Sequence, residues 1–515
     1  MDVFTHCSLA ISCSIIVLIY AWKFLNWIWI RPKKLEKLLR QQGFNGNSYT
    51  LLYGDFTEIN ATAKESKSKA INLSNDIVAR ANPIYYKAIQ KYGEKCFVWL
   101  GPKPAVVILD PEIIREIMSK NYVFQKPSSS FTRLVAGGLP SLDTDKWAKH
   151  RKLINPAFHA EKLKHMVPSF YLSCAEMLSK WDKIVPSDGC CELDVWPYLQ
   201  TMTSDVISRT AFGSSYEEGT KIFQLQTERA HRFMEANTSL DIPGYRFLPT
   251  KFNRRMKETA KEIESTLLGI INKRVTAMEE EASMNDQDLL GLLLDSNFNE
   301  IKQHGNVSGM SMKEVIEECK IFYFAGQETS AALLVWTMIL LSKHRDWQAR
   351  ARDEVLKVFG GEKPDYQGLN HLKIVSLIFH EVLRLYPPVV EISRTVAEEM
   401  VVGEVSLPAG VQLIIPTTQL HHNCKFWGED AKEFKPERFG EGVSKATQGQ
   451  LTYFPFGWGP RICIGQNFAM MEAKMAMAMI LQRYSFDLSP SYSHAPHIVI
   501  TLQPQHGAHL FLTKL

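Results

Sequence analysis

Cys463 lies in the run Phe456-Gly457-Trp458-Gly459-Pro460-Arg461-Ile462-Cys463-Ile464-Gly465, which reads F-x-x-G-x-R-x-C-x-G. Glycines and a proline bend the backbone tightly around one cysteine, and the apolar stretch beginning at Gln466 has a helical pattern. The spacing therefore puts the thiol on a loop just before a helix N-terminus, where the dipole and the loop N–H groups favour a thiolate. A thiolate held this way can ligate a soft or borderline metal, and a single axial cysteine is one of the few ways proteins hold haem iron. A buried, inert thiol is the usual fate of a free cysteine. The fixed residues of this run, however, should recur by chance only about once in a million positions, so ligation is the expectation.

A second cluster, Ala325-Gly326-Gln327-Glu328-Thr329-Ser330, interrupts an otherwise apolar stretch. Gly326 has no side chain, so a planar group can approach the backbone there. The Thr329 hydroxyl can bond back into the helix and open it locally, and the adjacent Glu328 carboxyl can pass a proton through water. Glu381 and Arg384 form E-x-x-R on one helix face, spaced for a bidentate bridge, and Pro436-Glu437-Arg438-Phe439 supplies another arginine. Trp147 and Arg151, spaced W-x-x-x-R, also share one helix face.

In this order and spacing the residues resemble the motifs of the cytochromes P450, and the resemblance covers essentially the whole chain after its first thirty or so residues. It implies haem b with Cys463 as the protein ligand to iron, and Glu328 with Thr329 as the acid–alcohol pair that delivers protons during dioxygen activation. Gly326 and Phe456 would stand beside the cofactor. Trp147, Arg151, Arg394 and Arg461 would serve the haem propionates, bidentate carboxylate binding being what arginine does best. Glu381, Arg384 and Arg438 would form a structural triad under the haem loop. Electrons would come from NADPH through an NADPH–cytochrome P450 reductase, with O2 as co-substrate. The phrases Trp147–Phe158, Glu318–Thr329 and Thr501–His509 are similar to those of one plant group, the terpenoid-oxidising clan that includes secologanin synthase and several triterpenoid oxidases. That likeness ranks a triterpenoid first as substrate, then an iridoid monoterpenoid, then a gibberellin-type diterpenoid. A haem-thiolate isomerase or dehydratase needing no electrons is the alternative from another class; the intact Glu328-Thr329 pair argues against it.

The elements that must position these groups are mainly helical, with a small β part. Phe97–Leu100 and Ala105–Leu109, joined at Gly101-Pro102, read as a hairpin, and Asp110-Pro111 starts a helix with Asp as N-cap and Pro in the first turn. Ser311-Met312-Lys313-Glu314 is a capping box opening a helix that runs to about His344, roughly 50 Å long. Strand-like pieces recur near Val401–Leu407, Val411–Pro416 and Ile498–Leu502. Phe131, Leu134, Val135, Leu139, Phe233, Met234, Phe322, Val389, Val390 and Ile392 make the pocket-lining segments apolar, as a hydrophobic substrate requires.

No Pro/Gly/Ser-rich linker divides the 515 residues after position 50, so residues 51–515 read as one catalytic domain behind a basic linker at 31–50. A net charge of +4 is too weak to argue for nucleic acid. The nine cysteines, an odd number without C-x-x-C spacing, suit a reducing compartment. Residues 1–30 carry an apolar run from Leu9 to Ile30 with Trp22, Trp27 and Trp29 near its end, and then come Arg31, Lys33, Lys34, Lys37 and Arg40. This reads as a single-pass anchor in the endoplasmic reticulum membrane with the body in the cytosol. A cleaved signal peptide fits less well, for want of a basic start and a small-residue cleavage site. Lys146, Lys149 and Lys152 point away from Trp147 and Arg151 and read as a basic face for an acidic reductase.

Overall fold

The computed structural model describes residues 2–68, 70–127, 137–187, 189–213, 216–237, 247–279, 288–305 and 308–515. Helix Asp2–Leu25 runs without a break through a π-wound turn, Asn26–Ile30, into helix Arg31–Gln41. Leu9, Ile15, Leu18, Tyr20 and Trp22 are all exposed on it, and it is long and apolar enough to cross a membrane. The segment read as a basic linker is different. Arg31–Gln41 is a docked helix whose Leu35 and Leu39 join the core, while Lys33 and Arg40 both pair with Glu36. A leucine every four residues buries one face, which the run of basic residues masked.

The body is built around the long helix Met312–Lys343, the central helix below. Its capping box is complete: the Ser311 hydroxyl accepts from Glu314 N–H, and the Glu314 carboxylate accepts from Ser311 N–H. Nearly all its residues from Gln327 onward are buried, because helices Trp196–Phe212, Lys373–Leu385 and Gln466–Arg483 pack around it. Apolar residues on every side are what such an enclosed helix needs.

Among the described residues the strands form four small sheets. A five-stranded sheet runs Phe97–Leu100, Lys103–Val107, Gln412–Ile415, Ile392–Val396, Phe124–Gln125, with only the Lys103–Val107 and Gln412–Ile415 pair parallel. The hairpin at Gly101-Pro102 and the Asp110 cap are as the sequence predicts, Asp110 accepting from Glu112 and Ile113 N–H. Cys190–Asp194, His509–Lys514 and Tyr484–Leu488 form a three-stranded sheet, and two short ribbons pair Met400–Val402 with Val405–Leu407 and Pro496–Val499 with Thr501–Pro504. Two apolar cores result, one among the helices and one under the sheet. Phe456 and Ile464 pack on the first and Trp458 on the second, so the cysteine loop sits at their seam.

Candidate haem-thiolate site

The loop owes its shape to two left-handed glycines, Gly457 (φ +72°) and Gly459 (φ +71°). A Cβ on Gly459 would stand 2.7 Å from Met118 O, so the loop can close against helix Pro111–Ser119 only as glycine. Phe456 acts through its carbonyl, which accepts from Cys463 N–H at 2.8 Å. Cys463 is free and keeps accessible surface, although protein crowds its thiol. That crowding pushes the thiol up; a Gly465 N–H bond and the Arg151 charge oppose it without prevailing. The expected stabilisation by loop and helix is thus opposed by burial, and a bound metal's own charge would favour the thiolate.

Cations gather beside this loop. The Arg461 guanidinium lies 4.6 Å from the Trp147 ring centre and bonds Asp143 through Nη2, while its Nη1 is buried with no hydrogen-bond partner among the described residues. Burial, with Arg461 next, pushes Arg394 down to about 10. Burial, then Arg394 and Arg461, pushes Lys126 to about 7. Asp143 is the carboxylate that opposes all three of these cations. Buried positive charge in excess, with an orphaned guanidinium N–H, is a donor set built for carboxylates, and haem with its two propionates fits it. Arg151 adds its charge beside Arg461, and its Nη1 donates to Ile462 O at 2.8 Å, bracing the loop next to the thiol. Lys126 carries no sequence motif.

Opposite roles fall to neighbouring residues of the central helix. Ala325 is exposed and Thr329 and Gly326 are half-buried, within a stretch otherwise largely enclosed. Thr329 Oγ1 donates to Ala325 O at 2.8 Å, the back-bond its sequence predicts. Gly326 also serves packing. A Cβ there would meet Ile207 at 2.7 Å, and Thr203 Oγ1 donates to Gln327 O at 3.1 Å, so the missing side chain admits helix Trp196–Phe212. The small residue on the accessible face is Ala325. Glu328 is buried, accepts from Thr501 Oγ1 at 3.4 Å, and is pushed up to about 7 by desolvation.

The supporting triad forms as spaced. Arg384 reaches Glu381 through two bonds of 2.8 and 2.7 Å and also donates to His421 O and Ala431 O, while Arg438 Nε lies 3.4 Å from Glu381 Oε1. Lys435 N–H adds a bond to the same oxygen at 2.9 Å. Arg438 also donates to Trp427 O and Asp430 O, so the triad clamps residues 421–438, upstream of the cysteine loop.

Of the pocket-lining residues, Phe131, Leu134 and Val135 lie outside the described residues. Leu139, Phe322 and Val390 are buried, Phe233, Met234 and Ile392 half-buried, and Val389 exposed. Lys146 and Lys152 face solvent as expected, yet each is paired, with Glu314 at 2.6 Å and Glu300 at 2.9 Å. The basic face is thus partly neutralised from within.

A family profile described as Cytochrome P450 matches residues 79–509. The chain is 61% identical to Cytochrome P450 CYP72A219 of Panax ginseng over 98% of both chains. It is 58% identical to Cytochrome P450 72A397 of Kalopanax septemlobus over 96% of both, and 54% identical to Cytochrome P450 72A68 of Medicago truncatula over 97% of this chain and 96% of that one. With a free thiol in a glycine-shaped loop, a carboxylate-seeking cluster beside it and a near-full-length match on every side, the chain belongs to the cytochrome P450 family of haem-thiolate monooxygenases.

Proposed function

We propose that this enzyme uses O2 and electrons passed from NADPH by a cytochrome P450 reductase to hydroxylate, or oxidise further, a hydrophobic plant terpenoid, with a triterpenoid first in order. The observation that carries the monooxygenase chemistry is the Glu328–Thr329 pair, set where the buried central helix opens an accessible face. Cys463 would hold haem from one side, and Lys126, Arg394 and Arg461 would take its carboxylates. The haem, when bound, supplies the electron density from its thiolate that favours O–O cleavage. Thr329 spends its proton on Ala325 O, leaving its oxygen lone pairs free to hold water at the accessible face. Glu328, one step round the helix, pushed up to about 7 and held by the Thr501 hydroxyl, is the neighbouring acid that can take up and release a proton near neutrality.

The substrate reading rests on the likeness of three sequence phrases to terpenoid oxidases and on apolar side chains at Leu139, Phe322, Val389 and Val390. The relatives' names are family labels and carry no substrate. The exposed apolar helix followed by basic residues supports a single-pass anchor in the endoplasmic reticulum with a cytosolic body. A reduced carbon-monoxide difference spectrum, then NADPH- and reductase-dependent turnover of a panel, tests the proposal. The panel holds a pentacyclic triterpenoid alcohol, an iridoid glucoside and a gibberellin. Turnover without reductase would favour an isomerase, and loss of the thiolate spectrum is expected in Cys463→Ala.

A further inference from the structure

A buried pair outside the machinery above ties three elements together. Glu318, fully buried on the central helix, accepts at 2.6 Å through Oε1 from His150 Nδ1, and His150 is 1% exposed. Its second oxygen, Oε2, accepts from the backbone N–H of Leu139 at 2.9 Å. Gly138 (φ +63°) makes that approach possible, since a Cβ there would stand 2.7 Å from Glu318 Oε2. Gly137 is likewise pressed onto Glu317. The turn Leu139–Ser141 follows, and Asp143, just beyond it, bonds Arg461 and Lys126 N–H. Residues 137–143 are therefore held at one end by Glu318 and at the other by the cation cluster.

Position on the helix gives this pair its meaning. Glu318 precedes Ala325 by seven residues, about two turns, and so stands on the same face of the central helix as Ala325 and Thr329. His150 belongs to helix Thr144–Ile154, which also carries Trp147 and Arg151. The carboxylate thus fixes the distance between the Gly137–Ser141 segment and the helix face where the proton-handling residues lie. A buried carboxylate is costly unless its oxygens are bonded, and here two donors from two different elements satisfy it.

We infer that Glu318 and His150 are positioning residues for regioselectivity: by fixing Gly137–Ser141 over the central helix they decide which carbon of a large apolar substrate faces Thr329. The inference rests on the monooxygenase reading, and its test has one arm that does not. Glu318→Leu removes both bonds, Glu318→Gln keeps an acceptor for Leu139 N–H, and Gly138→Ala forces the segment away from the Glu318 carboxylate while keeping the Glu318 and His150 side chains. In the haem-loaded protein, hydrogen exchange at the Leu139 amide should quicken about tenfold or more in Glu318→Leu and stay near wild type in Glu318→Gln. With whichever panel terpenoid the wild type turns over fastest, Glu318→Leu and Gly138→Ala should lower the major-to-minor product ratio several-fold while keeping the carbon-monoxide spectrum. Glu318→Gln should restore most of that ratio. An unchanged product ratio in both disruptive variants, whether or not total turnover falls, would overturn the inference. If the wild type turned over no terpenoid, the terpenoid reading would fail by itself, and unchanged Leu139 exchange in Glu318→Leu would separately end the positioning role. Should Glu318→Leu not fold, Gly138→Ala alone decides the ratio.

Discussion

Thr329 and Glu328 are adjacent in sequence but about 100° apart around the helix, so one faces the accessible space while the other is buried against Thr501. Removing the Thr329 hydroxyl leaves the pocket's shape almost intact and removes the group that can hold water there. Thr329→Ala should therefore consume NADPH with more peroxide per product, read by parallel peroxide and product assays; unchanged peroxide yield and turnover would end this role. Glu328 adds a pH dependence. Desolvation keeps it protonated in the folded protein up to about pH 7, whereas an unfolded glutamate ionises near ~4.3. Folding stability is thus lost as pH rises from the unfolded value through about 7, by roughly 3 kcal/mol in all. Coupling should fall over the upper part of the same window, and Glu328→Gln should flatten both profiles; a wild-type inflection that persists in Glu328→Gln belongs to another group. The sequence spelled these two residues out, but at Gly326 it did not show the packing against helix Trp196–Phe212, because a missing side chain does not say which neighbour fills the gap. Ile207, remote in sequence, fills it.

Elements show where local pattern suffices and where it does not. The Ser311 box, the Asp110 cap and the hairpin were readable because each is decided within a few residues. Pairing at a distance was not, so the neutralisation of Lys146 and Lys152 by Glu314 and Glu300 and the gathering of Lys126 with Arg394 and Arg461 emerge only in three dimensions. Helix Arg31–Gln41 is the clearest case, its basic side chains hiding Leu35 and Leu39. Deleting residues 1–30 should leave haem binding and detergent activity intact. Deleting 1–41 strips two buried leucines from the sheet core and should lower stability by several kcal/mol, roughly 2–5 for each leucine, as denaturant titration would show. Equal stability of the two truncations would mean that the helix is not part of the core. Arg384→Lys probes the other clamp. A lysine cannot reproduce the bidentate bond to Glu381 while also reaching His421 O and Ala431 O, so about 3–5 kcal/mol should be lost and haem should dissociate more readily.

At the scale of the whole molecule, the question is how a body of this size is held relative to the bilayer. A proline-rich hinge after the anchor would let it swing, but only Pro32 stands there, inside the first turn of a helix. The anchor instead runs continuously into helix Arg31–Gln41, and three contacts lock the junction. Tyr49 OH donates to Ile28 O at 2.8 Å, the Trp29 and Tyr49 rings lie 6.1 Å apart, and Arg31 donates to Ala409 O at 3.3 Å beside Gly410. Tyr49 in turn packs at a tilt against Trp99 of the sheet, 4.8 Å between centres, so the direction of the N-terminal helix is tied to the sheet itself. A second set of apolar residues, Phe247 and Leu248, is exposed and offers the body a membrane contact of its own. Four glycines inserted between Ile30 and Arg31 break the helix and uncouple the two, leaving every contact of the site untouched. In oriented bilayers the linear dichroism of the haem band should then fall toward the value for a broad spread of tilts, while turnover in detergent stays at the wild-type level. If the dichroism stayed the same, the body's own surface, Phe247 and Leu248 included, would set the tilt, and the rigid junction would serve only to pack Leu35 and Leu39.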